Sequence, residues 1–231
     1  MEDIETKKTL TNYIEEQAYT FVKDIDEAKK IAISVVNTVK MNKDLVACDK
    51  NSIMQCVNNA LGLGLAIDVN QYCWLVPYQG KATLQIGFKG YIHKLTGLGA
   101  IVDTPKLIYK GEELLIESDD KIGDSYTLKN RVPFPREEDL SGIMIYIKHN
   151  GRGYVETMSK AEIDKIKGCA KQGYVWGKWY GEMAKKSIIK RACKVHFAKE
   201  IADLEKFDNQ QYDVSPPKTQ GLEELNNNNK E

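Results

Sequence analysis

The sequence predicts an α+β fold: a helical N-terminal part, antiparallel β-hairpins packed by helices, and one long basic helix near the end. Three observations carry this. Apolar residues recur at helical spacing from the start, and no proline occurs before Pro77. The texture changes at YCWLVPY (72–78) to short alternating segments divided by Gly and Asn turns. Helical spacing then returns after Ser159.

Ile14, Ala18, Phe21 and Ile25 mark one amphipathic helix, and Ala28, Ile31, Val35 and Val39 mark a second. A third helix spans about 51–61, with Ile53, Val57, Ala60 and Leu61 on one face; Gly62 and Gly64 stop it. ATLQIG (82–87) alternates and folds back on 72–78 through a turn at Gly80-Lys81, and a short helix over 88–96 follows, ending at Gly97. In the next stretch strands are expected at 100–109, 112–117 and 125–129, with Pro133 and Pro135 marking a loop. GIMIYIKH (142–149) sets Ile143, Ile145 and Ile147 on one face, and Asn150-Gly151 turns it back into 153–158. Ser159 with Glu162 is a capping box that opens a short helix. GYVWGKWYG (173–181) then leads into a long helix from about 179 to 206. Residues 1–207 are read as one α+β domain whose first part, 1–44, is helical. Residues 208–231, with Pro216-Pro217 and a run of four Asn, read as a disordered polar tail.

A chain of 231 residues and 26.2 kDa is long enough to bury a sizeable core. It has no apolar run of about 18 residues, so a membrane span is not expected. The acidic, polar start has no signal-peptide character, which points to the cytoplasm. The five cysteines make no C-x-x-C pair and read as free thiols of a reducing compartment.

The net charge is zero, from 33 basic and 33 acidic residues, but it is segregated. Residues 165–199 hold ten basic side chains against Glu182 alone, a net of +9. Residues 103–140 hold ten acids against six bases, a net of −4. A local field of that kind calls for a polyanion, a membrane surface or an acidic partner. Within the long helix Lys186, Lys190 and Lys194 form one stripe, with Ala184, Ile188, Ala192 and Val195 roughly opposite. A solvated helix face normally mixes signs, and this one does not. Tyr174, Trp176, Trp179 and Tyr180 interleave with Lys171, Lys178 and Lys185, as suits unstacked bases lying on rings beside neutralised phosphates. For Trp179, anchoring the helix start in the core is an equal alternative. All but four of the basic residues are Lys, which favours backbone contact over base readout. A second basic wall comes from Lys81, Lys89, His93 and Lys94, which share 72–96 with no acid; here Trp74 and Leu75 are expected in the core.

Catalytic signals are weak. Gly177-Lys178 lacks the rest of a P-loop, and His93, His149 and His196 fall in no metalloprotease pattern. Asp119-Asp120 and Glu137-Glu138-Asp139 read as solvated loop acids rather than a metal site. Nothing in the residues requires an enzyme.

Two blocks resemble a known family. SIMQCVNNALGLGLAIDVNQYCWLVPYQGKATLQIGFKGYIHKL (52–95) is similar to the RecT family of phage single-strand annealing proteins, with its "LGL", "YLVPY" and "LQIGYKG" motifs. WGKWYGEMAKKSIIKR (176–191) is similar to that family's tryptophan followed by "EMARKTVIRR". The resemblance covers about 45–200. It implies a Rad52-like core and ATP-independent annealing of complementary strands in recombination, with no nucleotide cofactor and no indicated need for Mg2+. It also implies self-association into a ring or helical filament, a cognate 5′→3′ exonuclease, a host single-strand-binding protein as partner, and a phage or prophage origin in a bacterial cytoplasm. Gln85, Gly87 and Lys89 fall in the first motif, and Lys185, Lys186, Lys190 and Arg191 in the second. The expected DNA-binding set is therefore Gln85, Lys89, Tyr91, Lys94, Lys171, Trp176, Lys178, Lys185, Lys186, Lys190, Arg191 and Lys194. Family members commonly carry a small C-terminal helical domain, whereas an Asn-rich stretch follows the core here.

The alternative readings are a plain single-stranded DNA-binding protein, a nuclease built on the loop acids, and a scaffold whose basic helix meets an acidic partner. Annealing needs exposed bases and a neutralised backbone and no fuel, which lysine contacts supply. The acidic 103–140 region is a candidate surface for a neighbouring subunit.

Overall fold

The computed structural model describes residues 2–68, 70–170 and 173–208. Helices α1 (Glu2–Val22) and α2 (Ile25–Lys40) pack as a helical pair. Their joint is Lys23 in the left-handed region, followed by Asp24, whose carboxylate caps α2 by accepting from the Glu27 N–H. Ile14, Ala18, Ala28, Ala32 and Val35 are buried between and beneath them. Phe21 and Ile25, expected on the apolar stripe, are instead half-exposed at the rim of this turn. A short α3 (Lys43–Val46) leads to α4 (Lys50–Gly62), whose Ile53, Met54, Cys56, Val57 and Ala60 are buried. Gly64, with φ of 69°, takes the chain out of the helix.

Strands β1 (Cys73–Tyr78) and β2 (Lys81–Ile86) form a separate two-stranded sheet. Its turn is Gln79-Gly80, both with positive φ, one residue earlier than the sequence suggested. Cys73, Leu75, Ala82, Leu84 and Ile86 face the core and pack on α4. Because strand side chains alternate, Trp74 points the other way and is 44% exposed, which corrects its expected burial. Helix α5 (Phe88–Gly97) follows directly.

The second sheet contains β3 (Ile101–Val102), β4 (Lys106–Tyr109), β5 (Glu113–Asp119), β6 (Gly123–Lys129), β7 (Leu140–His149) and β8 (Arg152–Ser159). The strand order is β3-β7-β8-β6-β5, and β4 also pairs with β7. All pairings are antiparallel except a single parallel bridge, Gly123 to Gly153. Ile143, Ile145 and Ile147 share the buried face of β7, as their alternation predicts.

Helix α6 (Lys160–Gly168) starts at the Ser159–Glu162 capping box. The Gly-rich aromatic stretch contains a short helix, α7 (Gly173–Lys178), and α8 (Tyr180–His196) then crosses β7 and β8 and packs on α5. The expected helix to 206 is interrupted at Phe197, and α9 (Ala202–Asp208) resumes after a turn. After the break Phe197, Ile201 and Leu204 are all buried, and α9 packs against β2. One contiguous core runs from Ile14 to Leu204. The architecture is α+β, with antiparallel sheet packed by helices that include the basic α8. The expected tail beyond residue 208 lies outside the described residues.

Candidate nucleic-acid interface

The interface begins where the β1–β2 hairpin meets α5. Gly87 and Gly90 sit under the segment leading into β1, and the Gly87 N–H donates to the Tyr72 carbonyl at 2.9 Å. A Cβ on Gly90 would lie 2.4 Å from the Tyr72 oxygen, and one on Gly87 would lie 2.7 Å from the Gln71 oxygen. The two glycines of IGFKG are therefore a packing requirement that brings backbone against backbone. The contact lays the Tyr72 ring on the His93 imidazole, with centroids 4.3 Å apart and planes within 18°.

From that joint an outward face extends along the hairpin. Trp74 stands opposite Gln85, Val76 opposite Thr83 and Tyr78 opposite Lys81. Tyr78 is 57% exposed. Lys89 lies beside this face with its ammonium 3.4 Å from Gln71 Oε1. Tyr72, Lys89, Ile92, His93 and Thr96 line a groove of about 220 Å³. No acid occurs from residue 69 to residue 102.

The second wall is α8. Ala184, Ile188, Ile189, Ala192 and Cys193 are its buried side, whereas Val195, expected with them, is 58% exposed. Lys186 places its ammonium 6.0 Å from the Phe88 ring centre, and Lys190 lies 5.5 Å from that of Tyr91. Both lysines thus lean on α5 through cation–π contact. A groove of about 280 Å³ lies between the helices and residues 102–105, lined in part by Phe88, Asp103, Glu182, Lys185 and Lys186.

The expected DNA-binding residues separate into groups. Gln85 and Lys89 lie on the hairpin side of α5, and Lys186 and Lys190 lie on its α8 side, over Phe88 and Tyr91. Lys178 stands apart, 5.8 Å over the exposed ring of Trp179. Lys185 is ion-paired to Glu182 at 2.8 Å and lines the second groove. Lys94 and Lys194 instead hold α9, through Asp203 at 2.6 Å and Glu205 at 3.8 Å. Two assignments are corrected by burial: Tyr91 is fully buried beneath α5, and Trp176 is buried edge-on to Tyr180. Neither ring can receive a base, because each fills the core. The exposed indole of this segment is Trp179, at 56%, against the alternative that it anchors the helix. Lys171 lies outside the described residues.

Arg191 also departs from expectation. Its Nε lies 2.7 Å from Glu156 Oε1 and its Nη1 2.7 Å from Glu162 Oε1. Glu162 is held down at about 2, first by the Ser159 backbone N–H and then by the Arg191 guanidinium. Glu156 is 9% exposed, and its other oxygen meets His196 Nε2 at 3.0 Å.

Sequence reasoning missed Trp74 as a surface ring and the half-buried Tyr72 as the wall of a groove. The signal was present in the period-2 alternation of CWLVPY, which puts Trp74 and Tyr78 opposite Cys73 and Leu75. Burial pushes the Cys56 thiol up to about 11 and those of Cys73 and Cys193 to about 12, so these three are inert at neutral pH. Among the described residues no group of three or more His, Cys, Asp or Glu could hold a metal ion, and no helix is long and apolar enough to cross a membrane.

Comparison with known proteins adds two findings. The sequence model of the RecT family matches residues 27–220. The uncharacterised protein YqaK of Bacillus subtilis is 27% identical over 169 residues, which cover 71% of this chain and 57% of that relative. The chain thus spans little more than half the length of the curated relative.

Proposed function

The chain belongs to the RecT family, and from that membership we propose that it binds single-stranded DNA and anneals complementary strands in recombination, without ATP. The observation that carries the reading is the surface around α5. Exposed rings (Trp74, Tyr78) and the half-buried Tyr72 are interspersed with Lys81, Lys89 and His93 along a segment free of acids, and Lys186 and Lys190 of α8 lean on Phe88 and Tyr91 of the same segment. Rings accept bases of any identity, and ammonium groups neutralise phosphates without reading sequence. Once repulsion between two backbones is lowered, pairing is downhill and needs no fuel. We propose Gln85, Lys89, Lys178, Lys185, Lys186 and Lys190 as strand-facing residues of the expected set, with Lys171 a further candidate, and add Tyr72, Trp74 and His93. Self-association along the strand would multiply a weak single-subunit contact into tight binding. The exposed acids Glu137 and Glu138 are the proposed counter-surface, the helical N-terminal part a further candidate for subunit contacts, and an exonuclease and a single-strand-binding protein the proposed partners. Mg2+ has no assigned role.

The test is annealing of two complementary labelled oligonucleotides with no nucleotide cofactor, at low and moderate salt, with preformed duplex as control. Pairing much faster than the spontaneous rate, with weak binding of the duplex, is the expected result. Strands that bind but pair no faster would make the protein a plain single-strand binder. Absence of binding at low salt would overturn the reading.

A further inference from the structure

Resting on the reading of α8 as a strand-binding helix, we propose that Arg191 is not a strand contact but the residue that positions this helix, clamped by Glu156 and Glu162. The sequence places Arg191 inside a cationic run, next to Lys190 and three residues before Lys194. Its guanidinium instead bridges two carboxylates on two other elements, Glu156 on β8 and Glu162 on α6, each at 2.7 Å. Both carboxylates are fixed on their own account. Glu162 accepts from the Ser159 N–H at 2.9 Å and from the Ser159 hydroxyl at 2.9 Å, completing the cap of α6. Glu156 is nearly buried in the sheet and holds α8 at a second point through His196 Nε2.

Three arguments assign the role. The planar fork of an arginine can hold two acceptors at once, whereas a lysine is a point charge. The cluster sets two carboxylates against one guanidinium, so the charge of Arg191 is already matched within the protein. Finally, one residue of helix rotation is about 100°, which would swing Lys186 and Lys190 away from Phe88 and Tyr91. The ion pairs to β8 and α6 oppose that rotation.

The experiment compares Glu156→Gln, Arg191→Lys and the double change Lys186→Ala with Lys190→Ala in the full chain. Its readouts are affinity for a fluorescent single-stranded oligonucleotide, protection of Lys186 and Lys190 from acetylation by bound strand, and thermal melting. The clamp predicts several-fold weaker binding and lost protection for Glu156→Gln, although that change makes the protein more positive, and the same for Arg191→Lys, although that change keeps the charge. Tighter binding by Glu156→Gln, or unchanged binding by Arg191→Lys, would make Arg191 a phosphate contact and overturn the proposal. A lowered melting temperature with affinity and protection intact would make the cluster merely structural and also overturn it. If Glu156→Gln fails to fold, Arg191→Lys decides alone between these outcomes. Unchanged binding by the double lysine variant would instead remove the strand-binding reading of α8 itself, which is a separate failure.

Discussion

At the scale of single residues, chemistry that looks alike in the sequence has different uses in the fold. Lys190 and Arg191 are adjacent cations; one leans over an aromatic ring and the other is consumed by two carboxylates. No local pattern separates them, because the partners of Arg191 are 29 and 35 residues away in sequence, as Glu162 and Glu156. The capping box at Ser159 was legible for the opposite reason, since all its atoms lie within one turn. Glu162 joins the two cases and yields a pH prediction. Its carboxyl is held well below its ordinary value of 4.5, at about 2, so ionised Glu162 contributes stability above 4.5 that is lost as pH falls toward 2. Glu162→Gln is therefore expected to melt lower at neutral pH. Its melting temperature should also fall less steeply than the parent's across that acid window in a thermal titration.

At the scale of elements, hydrophobic period was a good guide to what exists and a weaker one to where it ends. The hairpin, α5, the Ile143–Ile147 strand and α8 were all readable from spacing. The end of α8 was not, because the helical period continues through residue 206, whereas the packing of α9 on β2 that accompanies the bend is a long-range contact. The aromatic rings were partly misplaced because a Trp in an apolar strand reads as core until its neighbours' alternation is counted. That correction makes Trp74 a clean probe. It is 44% exposed and has Gln85 opposite, so Trp74→Ala should lower stability only by the covered part of the ring, on the order of 1–2 kcal/mol, and leave the chain folded. Loss of one base-stacking ring should weaken single-strand binding by roughly 1–3 kcal/mol. Calorimetric melting and fluorescence anisotropy on the same samples check the two halves.

At the scale of the whole molecule, a net charge of zero hides a division of labour. The acid-free stretch from 69 to 102 and the lysines of α8 converge, while the β5–β6 ribbon and residues 137–139 carry the acids. Composition alone could show that charges were segregated but not that two basic segments over 90 residues apart pack together, with Lys186 of α8 leaning on Phe88 next to Lys89. If they act on phosphates, affinity must be salt-dependent. Removing Lys186 and Lys190 together should shallow the plot of log affinity against log salt by about 1.4, at about 0.7 per cation on a single strand. A salt titration of both proteins measures it. The same ribbon has a consequence of its own. It meets the rest of the sheet at Gly123 and Gly153, where a Cβ on either would press within about 2.3 Å of the other strand's backbone. Such a joint is mostly main chain, tied by two side chains of β6, Tyr126 against Tyr146 and Asp124 accepting from the Val155 N–H, and most of the ribbon's own side chains face solvent. Its amide protons therefore report a local opening free energy set by the hairpin's own ladder, below that of β7 and β8. Its tip, residues 120–122, is part of that joint, because the Gly153 N–H donates to the Ile122 carbonyl at 2.8 Å and Arg152 donates to the Asp120 carbonyl at 3.0 Å, so a change of length there would be felt in β8 before anywhere else in the sheet.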